Sequence, residues 1–114
     1  MGKIGDRRDL FPGALEMMVL RLLHRRPLHG YAIAQEIHAV SAELLQVEEG
    51  SLYPALQRLL KDGLVTAHWG VSATNRRVRI YTLTPAGRRH LDKEIQRFES
   101  MLEGIRLVLA VGTV

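Results

Sequence analysis

The chain has 114 residues, enough to bury one modest hydrophobic core, and no length that calls for a second domain. Hydrophobic residues make up 46% and charged residues 25%, which excludes a disordered polyelectrolyte; the lack of cysteine excludes disulfides, thiolate metal sites and cysteine nucleophiles. The net charge of +4 is uneven, because residues 1–90 hold 13 basic and 8 acidic side chains (+5) and residues 91–114 hold 3 and 4 (−1).

The opening MGKIGDRRD carries no apolar signal region, and the longest aliphatic run, LVLAV, is far short of a membrane span, so a cytoplasmic protein without a membrane segment is expected. Residues 13–27, GALEMMVLRLLHRRP, read as a helix that stops before Pro27. Its core candidates are Leu15, Met18, Val19, Leu22 and Leu23, but Met17 and Leu20 extend the apolar surface beyond one stripe. A helix apolar on nearly all sides requires cover on nearly all sides, some of it from a second copy of so short a chain. Residues 29–41, HGYAIAQEIHAVS, read as a second helix burying Ile33, Ala34, Ile37 and Val40.

The third helix lies within EEGSLYPALQRLLKDGLV, residues 48–65. Ser51 is its expected N-cap, Pro54 then falls in the first turn where the N–H has no helical partner, and Gly63 closes it. Leu52, Ala55, Leu56, Leu59 and Leu60 follow the i, i+3, i+4, i+7, i+8 pattern of a buried stripe. Outside that stripe stand Ser51, Tyr53, Gln57, Arg58 and Lys61, a hydrogen-bonding and cationic face. Glu48 and Glu49 suit the helix dipole but would repel phosphate, so they are expected to face protein or solvent. Two helices followed by a third with a polar outer face suggest helix-turn-helix.

Residues 64–70 and 77–83, LVTAHWG and RVRIYTL, are rich in β-branched and aromatic side chains and are joined by turn-forming Ser, Thr and Asn, which predicts a β-hairpin. Five arginines and no acid fall within residues 75–89, a footprint for phosphate whose bland rival is ordinary solvated surface. Thr84 and Pro85 supply an N-cap and first position for a fourth helix. Its apolar residues Leu91, Ile95, Phe98, Leu102, Ile105 and Leu109 are spaced 4, 3, 4, 3, 4, a heptad seam that predicts a homodimer. From Pro85 to Leu109 that helix spans roughly 37 Å, more than a small domain covers alone.

Neither a catalytic constellation nor a metal-ligand spacing is found, the five histidines included, so no enzyme, cofactor or metal is expected. The expected architecture is mainly α with a small β-hairpin: a winged helix-turn-helix domain over residues 1–90, with an N-terminal arm at 1–12, and a long C-terminal dimerisation helix over 85–114. The alternative to DNA binding is a winged-helix protein-interaction module that presents its basic wing to an acidic partner.

PLHGYAIAQEI, EEGSLYPALQRLLKDGLV and RIYTLTPAGRRHL resemble, in order and spacing, the signature blocks of the PadR family of bacterial transcriptional regulators. The resemblance runs from about Leu15 to Leu91 and implies a winged helix-turn-helix dimer, usually a repressor, held by its first and last helices. Ending after one long helix, the chain is similar to the short subgroup. Some short members hold planar drugs against a tryptophan of the long helix; here the single tryptophan, Trp69, falls in the hairpin, so that site does not carry over, and Phe98 remains as lining for an apolar pocket.

The expected partners are a double-stranded DNA operator, a second copy of the chain and a small-molecule inducer of unidentified chemistry. Gln57 and Arg58 are the expected base readers, with Ser51, Tyr53, Pro54 and Lys61 fixing the helix on the duplex. Asn75, Arg76, Arg77 and Arg79 bring the wing to the flanking backbone, and His29 with Tyr31 adds a contact at the start of the second helix. Leu15, Met18 and Leu22 of the first helix join the seam residues in the expected dimer interface.

Overall fold

Leu15, Val19, Leu20, Leu22 and Leu23 cover more than one side of helix α1 (Ala14–Arg25), and all five are buried. Their cover comes from every other helix: α2 (Gly30–Val40), α3 (Glu49–Lys61) and the long α4 (Pro85–Leu109) all pack against α1. The structure, a computed structural model, describes residues 13–113, and the arm expected over 1–12 lies outside them. Leu20, read as surplus to the stripe, is among the most enclosed side chains, whereas Met18 is only half-buried.

Between α1 and α2 the chain forms a two-residue strand, β1 (Leu28–His29), which the sequence pattern does not announce. It pairs antiparallel with the return strand of the hairpin, β3 (Arg77–Leu83), which pairs in turn with β2 (Val65–Val71), giving the order β1-β3-β2. Two residues carry no periodicity, so only the free edge of β3 reveals such a strand. α2 buries Ile33 and Ile37 as expected, but Val40, at its last position, is 67% exposed because the helix has by then passed the edge of the core.

α3 starts earlier than the Ser51 N-cap predicts. Its cap is Glu48, in extended conformation, and the N–H groups of Ser51 and Leu52 both donate to the Glu48 carbonyl at 3.0 Å. The start thus moves by three residues, nearly one turn, although serine has the better capping chemistry. Pro54 therefore sits inside the helix, where it removes the bond to the carbonyl of Gly50, an exposed residue. The C-terminus is as expected: Gly63 adopts φ +72°, the Leu64 N–H donates to Leu59 O at 3.0 Å and the Gly63 N–H to Leu60 O at 3.1 Å, a Schellman closure.

Thr84 caps α4, its Oγ1 accepting from the Gly87 N–H at 2.9 Å and donating to Gly63 O at 2.8 Å. This one hydroxyl ties the end of α3 to the start of α4. A Cβ at Gly87 would lie 2.1 Å from Leu64 O, so only glycine lets the first turn of α4 approach that backbone. Leu91 and Ile95 then pack onto the core, and beyond residue 100 the helix leaves it.

Candidate nucleic-acid interface

At 3.6 residues per turn, burial of Leu52, Ala55, Leu56 and Leu59 turns Gly50, Pro54, Gln57 and Lys61 to the opposite side of α3. All four are exposed. Tyr53 and Arg58 flank this ridge, and each touches a neighbour. The Tyr53 ring rests on Gly30 at the start of α2, where an added Cβ would meet its Cε1 at 3.4 Å, yet the residue stays 47% exposed. Arg58 turns toward α1, its Nε and Nη2 each 2.7 Å from Glu16 Oε2. Ser51 is half-buried in the first turn of the helix.

Glu16 was not read from the sequence, since a contact spanning 42 positions leaves no local signal. It holds Arg58 weakly, because an ion pair between side chains this exposed contributes only about 0–1 kcal/mol.

The hairpin register places Val65, Ala67, Trp69 and Val71 on one face with Leu83, Tyr81, Arg79 and Arg77. The inner end of that face, Val65 and Tyr81, is core; its outer end, Trp69 and the two arginines, is exposed. The Arg77 guanidinium lies 4.2 Å from the Trp69 ring centroid and that of Arg79 lies at 5.9 Å. At the tip, the Asn75 N–H donates to Ser72 O at 2.9 Å and Asn75 takes φ +62°, a left-handed turn position that asparagine tolerates well. Arg76 follows it, exposed.

The start of α2 and the hairpin border a cleft of about 250 Å³ lined by His29, Tyr31, Trp69, Arg77, Arg79 and Tyr81, among others, to which α3 contributes Tyr53. Tyr53 of α3, the outer parts of both hairpin strands and the start of α2 thus meet around one concavity, while Gln57, Lys61 and the tip residues Asn75 and Arg76 stand outside its lining. Burial pushes the Tyr81 phenol above its ordinary pKa; the positive charge of Arg79 partly offsets this and Tyr53 adds to it. A neutral phenol forms the floor of a cleft whose rim is cationic.

The residues expected at a dimer interface fall into two groups. Leu15, Leu22 and Leu91 are buried within the one chain, while Met18, Ile95 and Phe98 are half-buried. Leu102, Ile105 and Leu109 are exposed at 42%, 36% and 72%, in company with Met101, Val108 and Val111. Phe98 lines a cavity of about 230 Å³ with Ala14, Met17 and Met101, between the start of α1 and the middle of α4. Among the described residues no group of three or more His, Asp or Glu is placed to hold a metal ion, and no helix is long and apolar enough to cross a membrane.

Residues 19–93 match the model of the transcriptional regulator PadR-like family. The chain is 32% identical over 94 residues to a transcriptional regulator of Mycobacterium tuberculosis, covering 82% of this chain and 84% of that protein. It is 25% identical over 92 residues to the negative transcriptional regulator PadR of Bacillus subtilis, covering 81% of this chain and 50% of that one. Among solved structures, a PadR family transcriptional regulator from Eggerthella lenta is similar with a TM-score of 0.75 at 27% identity, over 89% of this chain and 86% of that one.

Proposed function

The chain belongs to the PadR-like family of transcriptional regulators, and from that premise we propose that it is a homodimeric repressor that binds a pseudo-palindromic DNA operator in the bacterial cytoplasm. The observation that carries this reading is that α3, which packs against the hairpin, presents an exposed polar ridge, while its Tyr53 shares one cleft with Arg77 and Arg79 of the wing. In a winged helix, such a ridge enters the major groove while the hairpin meets the flanking backbone. Residues 1–90 are then the DNA-binding part and residues 85–114 the dimerisation helix. The sign of regulation follows the Bacillus subtilis relative, a negative regulator.

The roles follow from exposure. Gln57, at the crest of α3, reads adenine through its amide, and Arg58 reads guanine after leaving Glu16. Lys61 and Tyr53 hold the helix on phosphates, with Ser51 and Pro54 shaping its first turns and His29 and Tyr31 adding a contact from α2. Arg76, Arg77 and Arg79 carry the wing, and Asn75 holds its tip.

Support for the dimer comes from the outer half of α4. A fully buried leucine contributes about 1.5–3 kcal/mol relative to an exposed one, so Leu102, Ile105 and Leu109 on one seam favour a second copy as cover. Two-fold symmetry then sets the half-sites about 10 bp apart, or a multiple of that.

The test is selection of bound duplexes from a random pool by the purified protein, repeated across a salt series. An enriched two-fold site is the expected result. Arg76→Ala with Arg77→Ala weakens binding to every sequence and lowers the salt slope by about two units, one for each phosphate that the wing no longer neutralises. Arg58→Ala costs about 1–3 kcal/mol and relaxes the preference at one operator position. Failure to bind any duplex at low salt would replace this reading with that of a module for an acidic protein partner.

A further inference from the structure

Trp69 is the only tryptophan of the chain, it is 57% exposed, and the fold draws little from it, since its strand is anchored by Val65 at the other end. Its neighbours explain it better than the core does. By register it faces Arg79 directly and Arg77 across the diagonal, and the Arg77 guanidinium sits over its ring at 4.2 Å, within the range of a cation–π contact. No carboxylate of the described residues pairs with either arginine.

We infer that Trp69 is a positioning residue for DNA binding, whose indole holds Arg77 in the cleft that the hairpin shares with the start of α2 and Tyr53 of α3, where a sugar–phosphate strand enters. This rests on the reading of the chain as a DNA-binding regulator and goes beyond it. Stacking occupies the face of the guanidinium and leaves its in-plane N–H donors free for phosphate oxygens. An arginine already held on an aromatic surface also loses fewer rotamers when the strand arrives. Tyr31 and Tyr53, 60% and 47% exposed, line the same cleft, so a strand there meets tyrosine side chains as well as a preset cation.

The experiment measures anisotropy of a fluorescein-labelled duplex of random sequence at low salt, where backbone contacts dominate. Trp69→Ala is expected to weaken binding about three- to tenfold, the equivalent of one cation–π contact, with the salt slope unchanged because no charge is removed. Arg77→Ala lowers the slope by about one unit. In the Arg77→Ala background, Trp69→Ala should add less than a twofold loss, since the indole then has little left to position. Trp69→Phe, which keeps an aromatic face, should restore most of the affinity, and Trp69→Leu, which keeps only apolar bulk, should not.

Equal binding by Trp69→Leu and the unmodified protein would overturn the inference, whether or not Trp69→Ala folds poorly. Independent, multiplying losses from Trp69→Ala and Arg77→Ala would also overturn it, by making the indole a direct contact of its own. If the unmodified protein binds no duplex at all, the regulator reading fails first and this inference fails with it.

Discussion

α3 and α4 carry the same kind of apolar stripe, written with the same spacings of three and four residues, and the fold treats them differently. On α3, Leu52, Ala55, Leu56 and Leu59 are all at most 3% exposed, each enclosed by α1, α2 or the sheet. On α4 the stripe begins in the core with Leu91 at 1% and ends in the open with Leu109 at 72%. Periodicity names the face that wants cover, whereas the reach of the surrounding elements decides how much of that face the chain can cover itself. A helix of 25 residues outruns the core that α1, α2, α3 and the three-stranded sheet build, so its last turns are left exposed.

That contrast can be broken by mutation. The largest effect is expected from Leu56→Ala, which empties a fully enclosed site and should cost about 2–5 kcal/mol of stability in a denaturant or thermal melt, without a direct effect on the association of folded chains. Leu102→Asp should do the reverse, abolishing the dimer in sedimentation while changing monomer stability by no more than about 0.5 kcal/mol, as for other surface substitutions. A variant that still sediments as a tight dimer would remove the seam from the interface. The outer faces of the two helices extend the comparison, because Arg58 on α3 is tied to Glu16 on α1. Glu16→Gln should release that side chain and tighten operator binding a few-fold, in keeping with an exposed ion pair contributing about 0–1 kcal/mol. Weaker binding by Glu16→Gln would make Glu16 a support for Arg58 rather than its competitor.

Much of the fold was legible in the residues, because the relevant physics is local. Thr84 with Pro85 starts α4, Gly63 ends α3, and the β-branched runs on either side of Ser, Thr and Asn form the hairpin. The misreadings have one source. Ser51 is the better cap by its own chemistry, yet the helix starts from Glu48; Val40 follows the apolar pattern, yet at the last position of α2 it is 67% exposed, and a local window decides neither. In the candidate site, the polar ridge of α3 and the arginines of the wing were readable as residue types at helical and strand spacing. Their partners were not.

By itself, then, the sequence determined which faces are apolar, where the helices begin and end to within about a turn, and where the positive charge lies, since each of these depends on residues within a few positions of one another. Only the tertiary structure decided that β1 would close the sheet, that Glu16 would hold Arg58, and that Trp69 would lie under Arg77 in a cleft. Those contacts join elements across strand registers and helix crossings, and their geometry is set by packing of the whole core, which no local window of residues encodes.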